Sequence, residues 1–156
     1  MERRQLLEDW IKTQFPDKPF TLAPASADAS FRRYFRVSFS DGTLVAMDAP
    51  PQQEDCTPFV HAAGLLGAAG VHVPTIVAQD AEQGFLLLSD LGNITYLQAL
   101  EANADDADRL YHEATDALVK IQLASRVDVL PEYDEALLLS ELNLFSDWYI
   151  AKHLKI

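Results

Sequence analysis

The residues of this chain best suited to chemistry are three arginines that follow a run of small side chains. Ser26-Ala-Asp-Ala-Ser30 leads into Phe31-Arg32-Arg33-Tyr34-Phe35-Arg36, which holds three of the chain's 12 Lys and Arg residues. A guanidinium group is a planar fork of N–H donors that matches the oxygens of a phosphate or a carboxylate two at a time. By composition alone the small-residue loop is an ordinary polar turn, and the arginines are equally consistent with solvated side chains paired to surface acids. A second candidate is Asp48, which ends the run Leu44-Val-Ala-Met-Asp48 ahead of Ala49-Pro50-Pro51. Three roles are open to it: orienting Arg32 or Arg33, meeting His61, or lying on the surface. The third is Phe85-Leu-Leu-Leu-Ser-Asp-Leu-Gly92, an apolar run ending in Ser89, Asp90 and Leu91, whose last residues have the composition of a strand-ending turn.

The elements that must position these groups follow from periodicity. Leu6, Leu7, Trp10 and Ile11 recur at helical spacing and Phe15-Pro16 stops the run, which predicts a helix over 2–15. Phe20 to Pro24 reads as a short extended run. Residues 31–39 alternate, with Phe31, Phe35, Val37 and Phe39 on one side and Arg32, Tyr34, Arg36 and Ser38 on the other. Asp41-Gly42 then precedes a β-rich run from Thr43 to Ala49. The pattern predicts a hairpin over 30–49 whose turn has Asp41 and Gly42 at its centre with positive φ. Residues 57–69 are apolar around more than one helical face and end at Gly70, a helix stop. Val73–Ala78 and Phe85–Ser89 bracket a polar loop and predict a second hairpin. After Gly92 there is no further glycine, and helical spacing covers 94–103, 105–124 and 132–154. Strands with one helix, followed by helices only, give an α+β fold: over 17–92 an antiparallel sheet of about five strands carrying one helix, with the helix 2–15 packed on it, and a helical bundle over 94–156. The change of character sets a domain boundary near 90–94, dividing the chain into 1–92 and 93–156.

Composition narrows the classes of partner. Of 156 residues, 49% are hydrophobic and 23% charged, and 24 acids against 12 bases give a formal net charge of −12. That balance disfavours nucleic acid or an anionic membrane surface as the main partner, while leaving room for a small anion held by local donors. Cys56 is the one cysteine, so no intrachain disulfide can form and a reducing, cytoplasmic setting is expected. No apolar run approaches the roughly 18–20 residues needed to span a bilayer. Asp105, Asp106 and Asp108 fall at a helix start, where the macrodipole favours acids, and His72, His112 and His153 have no partners at metal-ligand spacing. Phe145, Trp148, Tyr149 and Leu154 are expected to be core residues of a helix.

In order and spacing, the segments 26–36, 44–51 and 85–92 resemble the bacterial sugar kinases that phosphorylate the anomeric hydroxyl of N-acetylmuramate and N-acetylglucosamine. Those enzymes belong to the aminoglycoside-phosphotransferase-like family. The resemblance covers nearly all of this chain and the first half of such an enzyme. It implies a protein-kinase-like small lobe that binds nucleotide, followed by the first helices of a large lobe. The loop ending at Ser30 would lie over the phosphates of ATP, with Arg32 and Arg33 nearer to it than Arg36. Ala46 would leave room for the adenine ring, and Ser89, Asp90 and Leu91 would form the hinge whose backbone pairs with the base. Protein kinases end this strand with a Val-Ala-Ile-Lys run, and the lysine is oriented by a glutamate of the next helix. Here Asp48 stands at the lysine position and 57–69 contains no acid, its one ionisable side chain being His61.

No catalytic loop of the His-x-Asp-x-x-x-x-Asn type occurs in residues 93–156. This chain by itself is therefore expected to lack catalytic residues, with ATP and Mg used by a longer enzyme. Large-lobe helices without their covering would favour a homodimer. Two further readings are compatible with the sequence. One is a non-catalytic nucleotide-binding or interaction module; the other is a kinase of the same family with an aminoglycoside, choline or homoserine acceptor.

Overall fold

Alternation along the hairpin 33–48 sorts its side chains into two apolar faces, and a helix covers each. The computed structural model describes residues 2–27 and 30–156, with backbone alone for Ser26 and Ala27. Helix α1 (Arg3–Gln14) is followed by strands β1 (Thr21–Ala27), β2 (Arg33–Phe39) and β3 (Gly42–Asp48), helix α2 (Thr57–Ala68), and strands β4 (Ile76–Asp80) and β5 (Phe85–Ser89). The five strands form one antiparallel sheet in the order β1-β2-β3-β5-β4, so the fold class expected from the sequence is the one observed. On one face Leu7, Trp10 and Ile11 of α1 pack with Phe35, Val37, Ala46, Phe85 and Leu87. On the other, Met47, Leu86 and Leu88 pack with Cys56, Phe59 and Val60 at and within α2. Because helices cover both faces, β5 is a continuous apolar run with no alternation, and Phe85–Leu88 are all buried.

Local chemistry sets the joints. Gly70 ends α2 at φ +77°, with its N–H bonded to the Gly67 carbonyl and that of Val71 to Leu66. Both bonds of a Schellman cap are therefore made, at a left-handed position that glycine adopts without penalty. Gly84 is more constrained still. It has φ +72°, and a Cβ there would lie 1.9 Å from the Ala49 carbonyl oxygen. Its own carbonyl accepts from the Ala49 N–H at 2.8 Å, which ties the β4–β5 loop to the end of β3.

Three expectations are corrected. The two-residue loop of the first hairpin is Ser40-Asp41, with Phe39 opposite Gly42, and neither loop residue has positive φ. Gly42 already belongs to β3, so the turn is displaced by one residue from the Asp41-Gly42 centre. Phe31 is 61% exposed, because β2 begins only at Arg33 and the alternation holds only inside the ladder. The third concerns the aromatic helix, which follows α3 (Tyr96–Ala102), a 3₁₀ turn at 104–106, α4 (Ala107–Ala124) and α5 (Glu135–Leu144). It is a π-helix, Phe145–Leu154, and Phe145, Trp148, Tyr149 and Leu154 are exposed. Phe145 stacks on Tyr149 at 5.3 Å and Tyr149 on His153 at 5.4 Å, while the Lys152 ammonium lies 3.6 Å from the Trp148 ring centre. Spacing shows which side chains share a face; it does not show that the face is covered.

The chain divides into two compact units, Met1–Ala124 and Ser125–Ile156. No helix among the described residues is long and apolar enough to cross a membrane.

Candidate functional site

The sheet register brings Arg36, Val45 and Leu88 into one row across β2, β3 and β5, on the face that α2 covers. Where that row meets the segment leaving β5, a cavity of about 260 Å³ opens. Tyr34, Arg36, Val45, Phe59 and Leu88 line its floor, and Ser89 to Gly92 form its rim. The rim is held by charge. Arg36 Nε donates to Asp90 Oδ2 at 2.6 Å, and its Nη2 donates to Oδ1 at 3.2 Å. The Gly92 N–H donates to the same Oδ1 at 2.9 Å, and Arg36 Nη2 reaches the Gly92 carbonyl at 3.4 Å. The Arg36 guanidinium holds the Asp90 carboxyl down at about 2, helped by the Gly92 N–H and the Thr43 hydroxyl against the opposing effect of burial. Ser89 faces its neighbour: its hydroxyl accepts from the Thr75 N–H at 2.9 Å, and its own N–H donates to the Thr75 carbonyl at 2.9 Å. Leu91 is half exposed at the rim.

Asp48 lies on the opposite face. It is fully buried, and among the described residues it is the one buried charged group. Arg3 of α1 donates to its Oδ1 from Nε at 2.8 Å and from Nη2 at 2.5 Å. Arg33 donates to Oδ2. Arg3 also donates to the Gln83 carbonyl at 2.6 Å and lies 5.0 Å from the centre of the Phe85 ring. Of the roles open to Asp48, pairing with Arg33 is observed, and a surface position is not. A larger depression of about 640 Å³, lined by Arg3, Arg4, Phe31 and Arg33, opens beside this cluster. Its cations are already committed, two to Asp48 and Arg4 to Glu8, so size alone does not make it the better anion site.

The remaining candidates are distributed as follows. Asp28 and Ala29 of the small-residue loop lie outside the described residues. Beyond them the Ser30 hydroxyl accepts from the Arg32 N–H at 3.2 Å. Arg32 donates to Glu54 Oε2 at 3.1 Å, and the Phe31 N–H donates to Oε1 of the same carboxylate at 3.1 Å. Ala46 is fully buried in the α1-side core and does not line the cavity; Val45 does, because neighbours along a strand point to opposite faces. The structure thus brings Ser89, Asp90 and Leu91 together with Arg36, and separates them from Ala46 and Asp48. Sequence reasoning missed Arg3 and Glu54 as partners, and Tyr34 and Val45 as lining residues. For Tyr34, Val45 and Arg36 a signal was present, since all three share the strand parity of the face away from Phe35 and Ala46. For Arg3 and Glu54 there was none. Among the described residues no group of three or more His, Cys, Asp or Glu could hold a metal ion.

Comparison with known proteins bears on this geometry. Residues 21–155 match the model of the phosphotransferase enzyme family. The chain is 54% identical to the N-acetylmuramate/N-acetylglucosamine kinase of Pseudomonas aeruginosa, in an alignment covering 99% of this chain and 48% of that relative. It is also 54% identical to the protein of the same name in Pseudomonas putida, over 97% of this chain and 47% of the relative. The Neisseria meningitidis serogroup B protein of that name is 45% identical over 99% of this chain and 46% of its own length. The chain spans about half the length of the curated relatives it matches. With an antiparallel five-stranded sheet, its covering helices and a family match over most of its length, the chain belongs to the phosphotransferase enzyme family.

Proposed function

We propose that this chain supplies the nucleotide-binding lobe of an ATP-dependent amino-sugar kinase acting on N-acetylmuramate and N-acetylglucosamine, with the lobe boundary near residue 92. The observation that carries this reading is the cavity at the end of β5, in a chain of the phosphotransferase family. An apolar floor of Val45, Leu88 and Phe59 suits the flat face of a purine, and Leu91, half exposed beside it, would offer its backbone to the polar edge. At about 260 Å³ the cavity is at the small end for a ligand pocket and fits the base better than the whole nucleotide. Phosphate contacts would come from Ser30 and the loop before it and from Arg32 or Arg33, whose present carboxylate partners would have to share or release them. Magnesium finds no ligand set among the described residues, so no step is assigned through it.

Transfer of the γ-phosphoryl group requires an acid near the acceptor hydroxyl and groups that neutralise charge on the transferring oxygens. Asp48 and Asp90 are both engaged by arginines and do not serve. The 156-residue chain is therefore expected to bind ATP no tighter than about millimolar and to transfer no phosphate. Titration of an ATP analogue by ligand-observed NMR checks the first point. An assay of the pure chain with ATP, magnesium and amino sugars checks the second, and phosphorylation above background would overturn this assignment of roles. A substrate panel on the full-length gene product, including an aminoglycoside, choline and homoserine, decides the acceptor. Leu97, Leu123 and Leu142 are among the exposed apolar side chains of the helices after 95, so association of two copies is expected in sedimentation at high concentration.

A further inference from the structure

We propose that Arg36 and Asp90 act together as a positioning device that sets the 90–92 backbone at the mouth of the cavity, and that Arg36 is not a phosphate ligand. This rests on reading the cavity as a nucleotide site. The two residues lie 54 positions apart, and their contact joins the middle of β2 to the segment that leaves β5. Asp90 receives both Arg36 and the Gly92 N–H, while Arg36 also reaches the Gly92 carbonyl. Both ends of the Asp90-Leu91-Gly92 segment are thus tied to one guanidinium. That guanidinium belongs to the row that supplies Val45 and Leu88 to the cavity floor.

Two consequences follow from this geometry. The first concerns Leu91, which stands exposed between two anchored residues; among the described residues no hydrogen bond engages its backbone. Its N–H and C=O are therefore the groups left to meet the polar edge of a base seated on Val45 and Leu88, which line the same cavity. The second concerns charge. Asp90 is almost fully buried and its carboxylate neutralises Arg36 in a two-point contact, so the cation has little left for a triphosphate. The arginine furthest from the small-residue loop is thereby assigned to the base end of the ligand.

The test uses the full-length gene product, with Asp90→Asn and Arg36→Gln. The readouts are KM for ATP, kcat, and competitive inhibition by adenosine, which carries no phosphate. Loss of positioning should raise KM for ATP and the adenosine inhibition constant by the same factor, about tenfold, and by more than kcat falls. Amide hydrogen exchange should quicken at Leu91 and Gly92 and stay slow in β3 and β5. An unchanged adenosine constant beside a raised KM would overturn the inference, since Arg36 would then be acting on phosphate. Unchanged values for both ligands would overturn it as well. If either variant fails to fold, Asp90→Glu keeps the charge and displaces the carboxylate by one methylene. Weaker adenosine inhibition in that variant supports positioning, and unaltered inhibition rejects it. A wild-type protein that neither turns over ATP nor is inhibited by adenosine would remove the nucleotide reading itself. Failure in the variants alone removes only this inference.

Discussion

The two faces of the sheet each carry a carboxylate gripped by arginine, and they differ in what surrounds the grip. On the α1 side, the Asp48 carboxylate is fully buried beneath Arg3 and Arg33, whose guanidinium groups border the larger depression, beside a core of Leu7, Trp10, Phe85 and their neighbours. On the α2 side, Asp90 lines a cavity, and its arginine also reaches the Gly92 carbonyl. The same pair of chemical groups is a fastening in one place and, by our reading, a positioning device in the other. The carboxylates differ in position and slightly in burial: none of the Asp48 side chain is exposed, and Asp90 keeps 8% beside the cavity. A sealed ion pair costs desolvation that its partners must offset, and removing one partner leaves a charge without compensation. A pair at an opening can be altered with less damage to the core and more to whatever binds beside it.

Breaking the sealed side should produce the largest effect. Asp48→Ala removes the acceptor of two arginines and should lower stability by about 3–5 kcal/mol in urea or thermal denaturation. Adenosine affinity per folded molecule should stay as it was; a fall in that affinity would erase the contrast between the faces. Next comes Gly84→Ala, at the joint between the β4–β5 loop and β3. Its φ of +72° and the 1.9 Å approach to the Ala49 oxygen predict a loss of about 2–3 kcal/mol, measured as a shift of the denaturation midpoint. A midpoint within experimental error of the parent would show that the joint gives way easily.

The open side is sharpened by pH. The Asp90 carboxyl is lowered from 3.8 to about 2 in the folded chain, so its charged form is favoured by folding. Its contribution is fully present above the unfolded value and is lost as pH falls from about 4 towards 2, a change of roughly 2 kcal/mol. Asp90→Asn should remove that part of the acid slope, read from denaturation midpoints across this window, and leave the slope near neutrality alone. An unaltered acid slope would mean that Arg36 does not hold Asp90 in solution. The smallest effect is expected at Arg32, which pairs with Glu54 away from both carboxylates. Arg32→Ala should cost under about 1 kcal/mol, since its side chain keeps 28% of its exposure and such pairs are screened by solvent. A larger loss would mark the segment before β2 as part of the core.

Some of this was legible in residue order. The alternation of Phe35 and Val37 against Tyr34 and Arg36 put the apolar side chains of β2 on the correct face, and Gly70 marked the end of α2 where the cap is observed. The displaced hairpin turn shows the limit of such cues. Asp-Gly signals a turn, yet the ladder pairs Phe39 with Gly42 and leaves Ser40-Asp41 as the loop. Ser89, Asp90 and Leu91 follow one another at the end of β5, so their grouping at the cavity needs no tertiary information. Ala46, expected beside the base, lies in the α1-side core, and the parity of β3 presents Val45 to the cavity.

What the sequence determined by itself were properties with a short range: helix and strand periods, helix stops, an acidic surface with a few clustered arginines, and motif order that identifies the family. The periods and stops depend on neighbours within a turn or a hairpin, and motif order is read directly along the chain, so residue types and spacing carry them. Only the tertiary structure decided which arginine meets which acid. Arg3 and Asp48 are separated by 45 positions, and Arg36 and Asp90 by 54. Such pairs form because the sheet order places β3 beside β5 and a helix on each face, and two side chains meet only when register and parity agree. That agreement belongs to the assembled sheet and to no segment of it, which is why Asp48 closed a core and Asp90 came to stand at an opening.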